Sequence, residues 1–514
     1  MCRAAWLCPA SRLFFLIGRL MFSLPRRRFL CAALLAVGTC LATPASAQTL
    51  AEALAAANEN NPTLNAARAG QRAVDENVPL ARADGRPSVG ADVGYSEQVV
   101  QASNNVFAPD RSVSIQGQIA VPLYRGGVVR NSIRASEARV ESGQARLRGT
   151  QLSVFSEVVG AYMDVLRDEA VVALNRNNVE VLGVNLQASR DRFDIGDLTR
   201  TDVAQSEARL ALARGQLQAA EARLIGSREN FVRLVGLEPA NLQPPPPLPG
   251  LPDSADVAVE TALAENPDIE AAGIDVVAAG YDVRAARSSR LPQVSLTTNG
   301  GYTNFLGTLG SSIPGTSASQ TQTSLTAGVN LSLPIYQGGR PAARVRQSQA
   351  RQSQTMEQAI AVERSVIAQT RAAFASWRAA NAVAESSRVA VSANALSLEG
   401  VRAENSVGSR TILDILNAEQ ELLNSRVQLV TARRDAYVAG FTLLAAMGRA
   451  EAADLGLDGG ALYDPATNYQ RVRGQWFDWN DDPAPAPQST RTRSTTPQSA
   501  TVPTAQVPAL ARDN

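Results

Sequence analysis

The sequence contains no histidine, and its four cysteines (Cys2, Cys8, Cys31 and Cys40) all lie within the first forty residues. Without histidine there is no imidazole for acid–base or nucleophilic catalysis and no Cys/His zinc site. If the leader described below is removed, no thiol or disulfide is left either, although the compartment it leads to permits both. Carboxylates alone remain for acid–base work. No nucleophile motif, phosphate loop or metal cluster is legible, so the chain is read as a non-enzyme with no cofactor. After residue 47 no apolar run approaches the ~20 residues of a membrane-spanning helix. If the chain spans a membrane, it must do so with strands.

What is present begins with a secretory signal. Arg26, Arg27 and Arg28 form a basic stretch, an apolar core runs from Phe29 to about Leu41, and Ala45-Ser46-Ala47 offers small residues at a cleavage site. The mature chain is expected to begin at Gln48, with 21–47 the signal and 1–20 an extension that need not be translated if synthesis starts at Met21. Val37-Gly38-Thr39 before Cys40 is a poor lipobox, which argues against a lipoprotein. Six arginines and no acidic residue precede Gln48, so the net charge of +1 becomes −5 in a chain starting there. Nothing in that balance suggests nucleic acid.

The rest is written twice. Glu59-Asn60-Asn61-Pro62 recurs as Ala264-Glu265-Asn266-Pro267, and Pro122-Leu123-Tyr124-Arg125-Gly126-Gly127 recurs as Pro334-Ile335-Tyr336-Gln337-Gly338-Gly339. Ile195-Gly196, with Thr201-Asp202 beyond, recurs as Val407-Gly408, with Leu413-Asp414 beyond. The offset grows from 205 to 212 residues between the first match and the second, so seven extra residues are expected in one loop of the second copy. The stiff joint Pro244 to Pro252 separates the copies. The first copy is assigned to 48–250 and the second to 251–448. A segment over 449–480 is expected to pack on the helices, and a disordered tail is expected over 481–514.

Both copies carry the same order of elements. A helix is expected over about 49–84 and 255–288, the first kinked or shortened by Pro79. Strands follow over about 88–99 and 292–304, and then over two alternating runs. Val113, Ile115, Ile119, Val121 and Leu123 are apolar between polar neighbours, as are Leu325, Val329, Leu331, Leu333 and Ile335. This is the period of a strand with one wet and one apolar face. Helices over about 127–193 and 340–406 would each reach about 100 Å. Each turns at Gly196 or Gly408 and returns to about Val235 or Met447. Ile133, Val140, Leu147, Val154 and Ala161 repeat every seven residues, as do Val203, Leu210, Leu217, Leu224 and Phe231, and Leu416, Leu423, Val430, Tyr437 and Leu444. Sustained sevens mean coiled-coil packing.

Pro122 and Pro334 lack a ladder amide and are expected to mark where strand pairing stops. Gly126, Gly127, Gly338 and Gly339 let the backbone turn from strand into helix. Four strands cannot close a barrel, and open edges are not tolerated in lipid. A trimer supplies twelve strands, an even number in the range of known barrels, and a ring of twelve long helices. The fold class is therefore an α+β membrane protein, a trimeric β-barrel continuing into a helical coiled-coil barrel. Heptads alone would also suit a periplasmic adaptor or structural protein without a pore; the alternating strands argue against it.

Ser332 to Gly339, Arg192-Phe193-Asp194-Ile195-Gly196, Val407 to Leu416, and Ala161-Tyr162 resemble the TolC-like outer-membrane efflux proteins over about 49–448. The resemblance implies the outer membrane of a Gram-negative bacterium and a homotrimeric exit duct. It implies a periplasmic adaptor and an inner-membrane pump of RND or ABC type as partners, for drug efflux or type I protein secretion. It also implies a tip closed by carboxylate rings and by links between hairpins. Asp414 matches the first ring residue, and Asn417 stands at the second, which makes the tip less cation-attracting. Arg410 matches an arginine linking one hairpin to the next, with Thr201 and Asp202 as its partners. Asn405 stands where the family can carry a linking tyrosine. Ile195, Gly196, Val407 and Gly408 would be the tips that dock the adaptor. From the residues alone, Asp414 also suits a solvated helix start, and the two glycines suit ordinary helix ends.

Overall fold

The computed structural model describes residues 48–100, 109–310, 318–455 and 463–502. The signal, the N-terminal extension and Cys40 lie outside the described residues.

Each repeat opens with a helix broken at an Asn-Pro pair. The first copy has α1 (Leu50–Asn60), α2 (Pro62–Asp75) and α3 (Asn77–Ala83); the second has α6 (Ala255–Glu265) and α7 (Pro267–Ser288). The single helix expected in each place is therefore corrected. Asn61 and Asn266 adopt extended backbone and cap the helix that follows, and the proline takes its first position. Each asparagine also donates Nδ2 to the end of its own repeat's return helix. Asn61 reaches the Leu234 carbonyl and Asn266 the Ala446 carbonyl, both at 2.9 Å. Pro79 acts as expected: the helix stops at Glu76 and restarts as α3.

The strands are β1 (Ser88–Glu97), β2 (Arg111–Arg125), β3 (Gln293–Asn304) and β4 (Thr321–Ser332), in one antiparallel sheet of that order. The register collects the apolar residues on one face: Val93 lies opposite Ile115, Ile115 opposite Tyr302, Val121 opposite Leu296, and Leu296 opposite Val329. Asp92 opposite Gln116 and Asn299 opposite Thr326 belong to the other, polar face. The seven extra residues are not confined to a loop. They extend the pairing within the hairpin from ten residues per strand in β1–β2 to twelve in β3–β4, and the connection grows from 98–110 to 305–320.

One proline behaves as expected and the other does not. β4 ends two residues before Pro334, whereas β2 runs through Pro122 to Arg125 with a register shift between Pro122 and Tyr124. β1 has stopped pairing at Ala120, so this part of β2 has an open side. A bulge beside an open side tolerates a residue with no amide.

The long helices α4 (Val128–Asp194) and α8 (Arg340–Ser406) both contain 67 residues, and α5 (Arg200–Val235) and α9 (Ile412–Ala446) return beside them. The heptad residues pack as the sevens require: Val140, Leu147, Val154, Ala161, Leu210, Leu224, Phe231, Leu416, Leu423, Val430 and Leu444 are all buried. Tyr162, Phe155, Phe231 and Phe441 anchor the main core, which gathers α1, α4, α5 and α9. The Tyr162 hydroxyl donates to the Gln48 and Gln243 carbonyls, and burial raises its pKa. Arg139–Asp282, Arg146–Asp275 and Arg148–Glu270 pair α4 with α7.

Equal helices are unequally covered. Twenty-six residues of α4 are buried, but only seven of α8. Helix α4 packs against α5, α7 and α9 and beneath α1–α3, whereas α8 packs mainly against α9, α7 and α6 and leaves an open flank. No described helix is long and apolar enough to cross a membrane.

Beyond α9, α10 (Pro465–Val472) packs on α2, with Asn468 donating to Asp75 and Val472 fully buried. The stretch expected to be disordered differs over 481–502. Thr496 donates to Glu238, Gln498 to Glu229, and Arg228 to the Ser499 and Thr501 carbonyls. Side chains on α5 and just beyond it thus supply hydrogen bonds to a segment with little secondary structure of its own. Residues 503–514 lie outside the described residues.

Candidate functional site

The two helical hairpins end in equivalent turns. Gly196 and Gly408 have φ of 83° and 81°, a left-handed geometry natural to glycine. The Gly196 amide donates to the Phe193 carbonyl and the Asp197 amide to that of Arg192; Gly408 and Ser409 repeat this with Asn405 and Glu404. These bonds satisfy carbonyls that a helix end leaves open. The residue before each glycine is presented outward, Ile195 at 80% and Val407 at 79% exposure.

The return helices also start alike. Asp202 accepts from the Thr199 amide and hydroxyl at 3.0 and 2.7 Å, and Asp414 accepts from those of Thr411 at 3.0 and 2.8 Å. Each threonine hydroxyl accepts from the aspartate's amide in return, a capping box. The backbone amide and hydroxyl of Thr411 hold the Asp414 carboxyl below the usual range. The hydroxyl and amide of Thr199 do the same for Asp202. The resemblance assigned Asp202 to a link and Asp414 to a ring; within one chain the two are geometric twins.

Arg410 donates Nε to Glu404 at 2.7 Å, and among the described residues no bond joins it to Thr201 or Asp202 of the same chain. Asn405, in the place of a linking tyrosine, ties its own turn by donating to the Arg410 carbonyl at 2.7 Å. Asn417 links hairpins within the chain: its Oδ1 accepts from Arg209 at 2.7 Å.

The sequence reading missed the group that holds the hairpins together near the tip. Glu419 is 6% exposed. It accepts from Asn185 of α4 and from Arg402 of α8. Beside it, Leu416 packs with Leu182, Leu186, Leu210 and Ala213 of the other hairpin. One signal was available: Glu419 falls between Leu416 and Leu423 on the buried side of a heptad helix, where a solvated acid has no place.

At the opposite end, Gly126, Gly127, Gly338 and Gly339 all have positive φ, and Gly127 and Gly339 cap α4 and α8. They perform the expected turn from sheet to helix.

A family model described as outer membrane efflux protein matches residues 53–237 and 258–449. The chain is 35% identical over 452 residues to outer membrane efflux protein BepC of Brucella suis, covering 88% of this chain and 96% of that one. It is 26% identical over 472 residues to outer membrane protein TolC of Escherichia coli, covering 88% and 94%. The crystal structure of the Campylobacter jejuni CmeC outer membrane channel superposes with a TM-score of 0.67 at 17% identity, over 83% of this chain and 89% of that one.

Proposed function

The chain belongs to the outer membrane efflux protein family, and from that premise we propose that three copies form a passive exit duct gated at the tips of the helical hairpins. The family is one of transport channels, not enzymes, and it places the sheet in the outer membrane with the helices in the periplasm.

One observation carries the trimer. The four-stranded sheet has an apolar face and a polar face, but it ends in two unpaired strands, β1 and β4. In lipid those edges need partners. Pairing β4 of one chain with β1 of the next, three times, closes a barrel whose polar face lines water. The open flank of α8 supports the same assembly, since it needs the cover that α4 receives within the chain.

The tip supplies the gate. Asp414 and Asn417 form its constriction, as a ring of three carboxylates beside a ring of three amides. Arg410 leaves Glu404 or shares it, and ties to Thr201 and Asp202 of a neighbouring hairpin. Ile195, Gly196, Val407 and Gly408 meet a periplasmic adaptor, and through it the duct serves an inner-membrane pump that exports drugs or secreted proteins. Cell fractionation followed by planar-bilayer recording tests the duct: the protein is expected in the outer membrane, with single-channel currents from the purified trimer. A soluble periplasmic protein without currents would sink the reading.

A further inference from the structure

The family match ends at residue 449, yet the chain beyond it builds a fixed loop with uncovered aromatic side chains. The loop follows α10 and is closed at its base by Arg471, which donates to both carboxylate oxygens of Asp482 at 2.7 and 2.8 Å. Two arginines grip its near side. Arg82 donates to the Arg473 carbonyl at 2.7 Å, and Arg86 donates to the Gln475 carbonyl at 2.5 Å. The Arg86 guanidinium also lies 4.4 Å from the centre of the Trp476 ring. Yet Trp476, Phe477 and Trp479 are 58%, 82% and 96% exposed. Three large apolar side chains left uncovered within four residues of a fixed loop mark a surface that meets something.

Its position selects the partner. Arg86 stands two residues before β1, and Arg125, the last residue of β2, donates to the Asp84 carbonyl at 2.7 Å. The loop therefore lies where strands pass into helices, at the rim of the sheet. The sheet's apolar face already carries aromatic residues toward both ends. Tyr95, opposite Val113, and Tyr302, opposite Ile115, lie toward the strand connections. Tyr124, opposite Val294, lies at the helical rim. Aromatic rings with an apolar body and a polar edge collect at the two membrane–water interfaces of such barrels. The loop carries Asp478, Asp481 and Asp482, while Arg82, Arg86, Arg471 and Arg473 lie on or against it. That near balance suits a zwitterionic headgroup layer.

We infer that the loop bearing Trp476, Phe477 and Trp479 is a membrane anchor, whose rings enter the headgroup layer of the periplasmic leaflet beside the barrel. It adds a contact to lipid from a segment outside the repeats, and fixes the height at which the barrel sits. The inference rests on reading the sheet as the lipid-facing wall.

Tryptophan quenching tests it. Beyond the signal, the only tryptophans are Trp377, Trp476 and Trp479. Trimers are reconstituted in phosphatidylcholine vesicles, with and without bromine on the acyl chains near the headgroup. The brominated lipid is expected to quench a large share of the emission, and that share is expected to vanish in Trp476→Phe/Trp479→Phe. Emission quenched by aqueous acrylamide but not by lipid would place the loop in water and overturn the anchor. Emission reached by neither quencher would place it against a neighbouring chain, and would also overturn it. Failure to float with the vesicles would instead remove the lipid-facing wall on which the inference rests.

Discussion

Both carboxylate oxygens of Glu419 accept from one amide nitrogen, Asn185 Nδ2, at 3.1 and 3.0 Å, across the contact between the two hairpins of one chain. Arg402 donates to the same group at 2.9 Å from a third helix. A buried carboxylate with fixed donors holds its neighbours in one arrangement, and removing it leaves the half-buried Asn185 amide without its acceptor. Glu419→Ala is expected to cost about 1–3 kcal/mol locally. Faster hydrogen exchange near Asn185 and Glu419 is the measurement, with a smaller change in Glu419→Gln. Unaltered exchange in both variants would mean that Leu416 and its apolar neighbours hold the hairpins unaided.

The Asp414 carboxyl is held below the usual range by the Thr411 amide and hydroxyl. A lowered folded-state pKa stabilises the turn fully above the unfolded value of ~3.9, and that contribution is lost as pH falls through the lowered value. Asp414 therefore stays ionised from pH 7 to pH 5. Block of the channel by polyvalent cations added at the tip side is expected to be the same at both. Asp414→Ala is expected to weaken block at either pH; unchanged block would place Asp414 outside the constriction.

Arg410→Ser is expected to raise single-channel conductance. Glu404→Gln separates the two contacts open to Arg410. If the pair with Glu404 is only a turn contact, Glu404→Gln leaves conductance low. If Glu404→Gln opens the channel as far as Arg410→Ser does, the in-chain pair is the closing contact, and the link to a neighbouring hairpin is excluded.

The strand-to-helix joints differ between the repeats in what surrounds them. A Cβ on Gly126 would lie 2.6 Å from the Ser288 carbonyl oxygen and 2.8 Å from the Leu291 Cβ, whereas one on Gly338 meets nothing within 4 Å in the same chain. Gly338→Ala is expected to cost the ~1–2 kcal/mol of left-handed backbone. Gly126→Ala adds a clash with main chain and is expected to lower the yield of folded protein sharply. Equal yields would show that the Ser288 turn yields to the methyl group.

Asn61→Ala and Asn266→Ala are expected to be equally harmful, at about 2 kcal/mol each, because each removes a cap and a buried hydrogen bond. Thermal conversion of trimer to monomer reads both. A large effect from one alone would break the equivalence of the repeats.

The sequence by itself determined the duplication, the four strands, the paired long helices and the turns at Gly196 and Gly408. These features are local and periodic: a period of two, a period of seven and a glycine at a positive φ are each written in consecutive residues. It did not reveal that Asn61 and Asn266 break their helices, because each asparagine's second partner lies at the far end of its repeat. It also missed that β2 continues through Pro122, because tolerance of that proline depends on where β1 stops. Only the tertiary structure decided that Glu419 is buried between hairpins and that the Pro/Ser-rich tail is held along α5. Each of these depends on a partner tens to hundreds of residues away, or on how two repeats with one plan face each other, and no local pattern encodes that.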